Sequence, residues 1–251
     1  MKYMYNAFIL VIAAAVLNPS PGVVAQDLDL NKYESEAFSN LAVVTGRVLG
    51  SGFYHTGAIH EFGGFDVGVK AMIAYIADDY KIGPMSDTKM VSMPVFQANV
   101  GLFDKFEIGG RFFSFKYGNS SKEEVTLSSG VVKYNLLSGL GLPDITVISA
   151  FSRISGVTDF SLKTYSFGGV IGYGAPIVTF YAGGTYNIVK MDVELESGGL
   201  YPSRFSQSYT KYVNHWTAGL SLGVAPFAKL NAEFNLGEVN GVTAGLIFSV
   251  Y

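Results

Sequence analysis

Between Lys163 and Lys190 hydrophobic and polar positions alternate one by one through twenty-six residues that contain no charged side chain. Tyr165, Phe167, Gly169, Ile171 and Tyr173 fall in one phase, and Thr164, Ser166, Gly168, Val170 and Gly172 in the other. After a turn at Gly174-Ala175-Pro176, Val178, Phe180, Ala182, Gly184, Tyr186 and Ile188 alternate with Thr179, Tyr181, Gly183, Thr185 and Asn187. The run is long enough for a membrane-spanning helix, which takes about 20 apolar residues. Six glycines and Pro176 lie inside it, however, and each destabilises a helix. Aromatic and branched residues on one face, small and polar ones on the other, describe a strand with lipid outside and water or side chains inside. The pattern predicts a hairpin of a transmembrane β-barrel.

The same period recurs along the chain. Phe65, Val67, Val69, Ala71, Ile73 and Tyr75 alternate with Asp66, Gly68, Lys70 and Met72, and Phe96, Ala98, Val100 and Leu102 with Gln97, Asn99 and Gly101. Phe106, Ile108, Gly110 and Phe112 oppose Glu107, Gly109 and Arg111. Strands near Val125–Leu137 and Ile145–Ile154 follow, with a phase that reads either way. Trp216, Ala218, Leu220, Leu222 and Val224 are expected outside, with His215, Thr217, Gly219, Ser221 and Gly223 inside. Leu230, Ala232, Phe234 and Leu236 oppose Lys229, Asn231, Glu233 and Asn235, and Val242 to Val250 closes the chain. The expectation is an all-β fold, an antiparallel barrel of about ten strands, with eight to twelve compatible with the pattern. Tight turns near 104, 140, 175 and 226 alternate with polar loops at Asp78–Val91, Tyr117–Glu124 and Glu194–Gln207, as in outer-membrane barrels with short periplasmic turns. A soluble sheet would need a second layer to bury so many outward aromatics, and no helical pattern is evident to supply it.

The N-terminus sets an address. Lys2 precedes an apolar stretch from Ala7 to Leu17, then Asn18-Pro-Ser-Pro-Gly and Val23-Val24-Ala25, the anatomy of a secretory signal cleaved after Ala25. Three regions follow: residues 1–25 as signal, 26–64 as a lead and plug segment, 65–251 as the barrel. Gln26 to Ser39 is polar and reads as a short exposed helix or a flexible lead. Leu41 to Gly64 is apolar and glycine-rich without a sustained period, so it packs under or inside the barrel or forms an extra strand. The localisation expected is the outer membrane.

Composition narrows the chemistry. A net charge of −3 gives no basic surface for nucleic acid, and the absence of cysteine excludes disulfides and thiolate metal sites. Lumen-lining candidates are Asp66 with Lys70, Glu107 with Arg111, and Lys229 with Glu233. Each pair is opposite in charge and four apart, hence on one face of a strand. They would either line a polar conduit or fill the interior with mutually neutralising side chains. Barrels of about eight strands are just wide enough to be filled, which favours filling. Three histidines, His55, His60 and His215, give no metal pattern, because His55 and His60 are separated by an odd number and His60-Glu61 would point to opposite faces of a strand. His215, beside Trp216, reads as an interfacial residue at a strand end. No nucleophile–base arrangement singles itself out among the serines, so no catalytic residue, metal ligand or cofactor-binding residue is expected. Phe103, Phe106, Tyr173, Tyr181, Phe227 and Tyr251 read as interfacial girdles.

Two further features carry resemblances. Thr243-x-Gly245-x-x-Phe248-x-Val250 resembles the terminal-strand signal read by the barrel-assembly machinery, which would be a partner during biogenesis beside outer-membrane lipids. Gly52-Phe-Tyr-His-Thr-Gly-Ala58, His60, Gly64-Phe65-Asp66, Met93-Pro94, Val100-Gly101 and Arg111-Phe112 resemble an uncharacterised family of Gram-negative outer-membrane barrels that carries only an unknown-function label. A looser similarity, to fatty-acid-transporter-type barrels, would make residues 41–64 a hatch in the lumen. It implies the alternative role of a narrow conduit for a small hydrophobic ligand, with Phe53, Tyr54 and His55 at the plug or gate. A lipid-modifying enzyme is the least favoured expectation. The leading one is a non-enzymatic barrel, structural or small-molecule-binding, with a largely occluded lumen.

Overall fold

The structure, a computed structural model, describes residues 35–82, 85–117, 123–139, 141–156, 159–175, 177–195 and 203–250. The expected signal segment and most of the polar lead lie outside the described residues. Among the described residues one α-helix, α1 (Ser35–Leu49), precedes ten strands: β1 (Phe65–Tyr75), β2 (Met90–Phe103), β3 (Phe106–Tyr117), β4 (Glu123–Leu137), β5 (Asp144–Ser155), β6 (Phe160–Gly174), β7 (Val178–Leu195), β8 (Phe205–Ala225), β9 (Ala228–Gly237) and β10 (Gly241–Val250). Each strand pairs antiparallel with its neighbours in sequence, and β1 closes on β10 from Phe65↔Val250 to Ala74↔Gly241. Closure leaves no unpaired strand edge, the condition for strands to cross a lipid layer. The fold is a ten-stranded transmembrane barrel.

Phase decides which face meets lipid. Phe167, Ile171, Tyr173, Phe180, Tyr186, Trp216, Phe234 and Phe248 are exposed, while Thr164, Ser166, Asn187, Asn231, Glu233 and Thr243 are fully buried. On β7 the outward residues are apolar or small from Val178 to Ile188 and then become Lys190, Asp192 and Glu194. Ten residues at about 3.4 Å each, tilted by about 40°, span roughly 25 Å, the height of an outer-membrane apolar band. Stacked Tyr186 and Tyr212, with ring centroids 6.0 Å apart, mark one rim of that band. Phe103, Phe106, Tyr173 and Phe227 are exposed near the short-turn rim. Tyr181, expected in that girdle, instead faces inward at 4% exposure. It occupies the opposite phase from Phe180 and Ala182, and phase outranks nearness to the strand end.

The interior holds α1, which begins in the last residues of the polar Gln26–Ser39 stretch and takes up the first part of Leu41–Gly64, the segment expected under or inside the barrel or as an extra strand. Nine of its fifteen residues are buried, among them Phe38, Val43, Val44 and Leu49. The helix is amphipathic: Ala37, Phe38, Leu41, Ala42, Val44, Val48 and Leu49 share one face and Glu36, Asn40 and Arg47 the opposite one, a stripe that straddles the boundary between the polar lead and the apolar segment and is complete in neither. Gly46, Thr45 and three valines further mute its propensity. Glu36 in the first turn and Arg47 in the last match the helix dipole. Phe38 stacks on Phe205 (centroids 6.1 Å apart) and meets Tyr209 at 6.2 Å. The core around it includes Met72, Leu162, Val189, Met191 and Val213 from the barrel wall. Gly46 lies against Val189 so closely that an added Cβ would meet its side chain. Burying Phe38 alone stabilises the docked helix by about 1.5–3 kcal/mol.

These contacts orient the plug. Ser35 Oγ shares a hydrogen bond with Tyr209 OH and Asn40 donates to the carbonyl of Asp79, both toward the long-loop end. The helix therefore starts at the long-loop mouth, and residues 50–64 run down to β1 at the short-turn rim.

Candidate functional site

Residues 50–64 cross the lumen without forming a strand, so their backbone groups must find partners in the wall. The wall supplies them largely through charged side chains. Arg111 donates from Nη1 to the Ser51 carbonyl and from Nη2 to the Leu49 carbonyl, each at 2.6 Å, and its guanidinium lies 3.7 Å from the Phe53 ring centroid. Lys70 Nζ donates to the carbonyls of Gly52 (2.7 Å) and Tyr54 (2.9 Å). Glu233 accepts from the Gly52 amide at 3.2 Å and from Tyr181 OH at 3.3 Å. Thr146 Oγ1 donates to the Gly57 carbonyl at 2.7 Å, and Ser221 to that of His55. Gly57 meets the Gly172 backbone so closely that a side chain on either would collide with the other. At the floor, Gly63 and Gly64 exchange backbone hydrogen bonds with Gly101.

The six lumen candidates all sit in the inward phase, and Asp66, Lys70, Glu107, Arg111 and Glu233 are at most 3% exposed. Half-buried Lys229 lies nearer the rim on β9. For Lys70, Glu107 and Arg111 the partners differ from the expectation. Side chains four apart on a strand do share a face, but their backbones are about 13 Å apart, beyond an ion pair. Charges are met across strands and through the plug instead: Glu107 pairs with Lys133 of β4 at 2.6 Å, while Arg111 and Lys70 hold plug carbonyls. Phe53, Tyr54 and His55 are buried at the centre of the lumen, where Tyr54 OH reaches Thr185 Oγ1 and the Gly184 carbonyl at 3.3 Å. His215 is not at a strand end. It lies in the middle of β8, 3% exposed, with Nδ1 3.3 Å from Asn187 Nδ2.

Near the short-turn rim two histidines and two carboxylates converge. His60 Nδ1 is 2.7 Å from Glu107 Oε2 and 3.6 Å from Asp66 Oδ2, and His55 Nε2 is 3.2 Å from that same Asp66 oxygen. The second oxygen of each carboxylate is held from the wall: Asn99 Nδ2 donates to Asp66 Oδ1 at 2.8 Å, and Lys133 pairs with Glu107 Oε1. His60, Asp66 and Glu107 each present a ligand atom within 4.8 Å of the others. The odd spacing of His55 and His60 argues against convergence only on a strand. Both lie in irregular chain, where spacing sets no face. Lys133, Asn99 and Tyr181 complete the polar interior, and sequence reasoning passed over them as site residues. For Asn99 and Tyr181 the inward phase was the signal that could have found them; Lys133 lies on β4, whose phase reads either way.

The family model described as "Family of unknown function (DUF6588)" matches residues 81–250. No curated protein matches the chain. Among solved structures it is similar to the outer membrane protease OmpT from Escherichia coli (10% identity, 78% of this chain and 100% of that one, TM-score 0.44). It is also similar to the transport unit of the autotransporter AIDA-I from Escherichia coli (9%, 88% and 100%, TM-score 0.41) and to the N-terminal barrel domain of Pseudomonas aeruginosa OprF (11%, 76% and 100%, TM-score 0.33). Identities this low carry no activity from one chain to another.

Proposed function

Because the chain belongs to the DUF6588 family of unknown function, its role has to be read from the lumen, and we propose that it is a plugged, non-enzymatic outer-membrane barrel. Its role is structural or small-molecule-binding, and the path across the membrane is closed. The observation that supports this is the plug itself: Phe38, Arg47 and Phe53 fill the lumen at 0–1% exposure, and charged wall residues tie the backbone that follows. Phe53, Tyr54 and His55 serve as anchors of a fixed plug, where the conduit alternative would make them a gate. Barrel lipids are the permanent partners, and the β10 signal suits delivery by the assembly machinery.

Conductance in planar bilayers tests the closed state. The chain has no cysteine, so Gly46→Cys with Val189→Cys gives one defined disulfide. A Cβ at Gly46 would lie 3.1 Å from that of Val189, a few tenths of an ångström inside the usual disulfide range. The reduced and oxidised proteins should both show no unit conductance steps. Steps in the reduced protein that vanish on oxidation would contradict the proposal and favour a gated conduit.

A further inference from the structure

The histidine–carboxylate cluster at the short-turn end is arranged as a metal site, and we propose that it binds one divalent transition-metal ion of the zinc class. The donors are His60 Nδ1, Asp66 Oδ2 and Glu107 Oε2, which lie within 4.8 Å of one another, with His55 Nε2 on the far side of Asp66 Oδ2 at 3.2 Å as the fourth ligand. Two imidazoles with two carboxylates suit zinc and neighbouring first-row ions better than magnesium or calcium, which prefer all-oxygen shells. Bonds of about 2.0–2.2 Å in a tetrahedron place donor atoms roughly 3.3 Å apart. The observed separations of 2.7, 3.2 and 3.6 Å straddle that value, while His55, outside the 4.8 Å cluster of the other three, has to swing toward His60 and Glu107 to complete the tetrahedron.

Three observations separate this from an incidental gathering of charges. First, one oxygen of each carboxylate is fixed outward by Asn99 or Lys133, which turns the other toward the imidazoles. Such supports orient metal ligands. Second, His55 is 2% exposed and its Nε2 makes no hydrogen bond among the described residues, nor does Asp66 Oδ2, the atom on which both histidines converge. A buried polar group without a partner is costly, and coordination through Nε2 and Oδ2 offsets that cost. Third, Asp66 and Glu107 are each the second residue of their strands, so the site lies just inside the short-turn rim. A bound ion would join the plug (His55, His60) to the wall (β1, β3) and fasten the end of the plug opposite α1. The inference stands independently of the conductance reading.

The test is zinc binding by the purified, folded, detergent-solubilised full-length barrel. After chelator treatment and exchange into metal-free buffer, Zn²⁺ is titrated calorimetrically, and Co²⁺ is added separately to read its visible absorption. The wild type should take up one equivalent of Zn²⁺ and give the intense bands of tetrahedral cobalt. Glu107→Gln should weaken binding roughly tenfold or more and abolish those bands, while His215→Gln, altered at a distant buried histidine, should bind like the wild type. Heat-modifiable gel migration checks folding; should Glu107→Gln not fold, His55→Gln carries the same expectation. A folded wild type that takes up no Zn²⁺ would overturn the proposal and leave an ion-pair cluster only. So would a folded Glu107→Gln or His55→Gln barrel that binds as tightly as the wild type.

Discussion

Glu233→Gln should destabilise the plugged barrel by about 3–5 kcal/mol, far more than neutralising any exposed acid. Glu233 is 0% exposed and holds both the Gly52 amide and Tyr181 OH. It is also the anion whose attraction reaches three buried cations, Arg47, Lys70 and Arg111. Removing one partner of a buried charge arrangement leaves the rest desolvated without compensation, which is the expensive case. The comparison is Glu194→Gln, which breaks the 2.8 Å pair with Arg204 on side chains 58% and 75% exposed. Solvent screens that pair, and its loss should cost less than about 1 kcal/mol. Urea unfolding in micelles, followed by protease cleavage of the N-terminal segment, reads both variants. Equal midpoints would show that the lumen charges do not hold the plug.

Ala182→Arg should cost roughly 2–4 kcal/mol in a bilayer, although the site is exposed and lies between Ile171 and Ala218 in register. Ala182 sits outward at the middle of the apolar band on β7, so a guanidinium there would face hydrocarbon. Ser206→Arg, outward on β8 opposite Glu194 and beyond that band, should cost about 0–1 kcal/mol. Urea titration of barrels folded into vesicles measures the difference. If the two arginines proved equally harmless in lipid, the outer face of β7 would not be a membrane face.

Much of the barrel was legible in sequence because a strand writes its environment every second residue. The outward set on β7 from Val178 to Ile188 and the inward set from Thr179 to Asn187 needed no partner to be read. The plug was not legible in the same way. The apolar stripe of α1, Ala37, Phe38, Leu41, Ala42, Val44, Val48 and Leu49, straddles the boundary between the polar lead and the glycine-rich apolar segment, so neither part carries the full pattern, and residues 50–64 have no period because wall side chains satisfy their backbone. The inner charges could be assigned a face but not a partner. Lys70 and Arg111 find plug carbonyls that no strand periodicity encodes, and Glu107 finds Lys133 across the β3–β4 pair. The convergence of His55 and His60 on Asp66 was hidden for the same reason, since an odd spacing separates faces only on a strand.

Which side chains dissolve in the bilayer is the point on which the whole account turns, and lipid-phase photolabelling of the unmodified protein measures it directly. In vesicles carrying a diazirine-bearing acyl chain, mass spectrometry should find adducts on Phe167, Ile171, Phe180, Tyr186 and Trp216 and none on Leu162, Val189, Met191 or Val213, which are fully buried against the plug. Adducts concentrated on the second set, with the first unlabelled, would contradict the account.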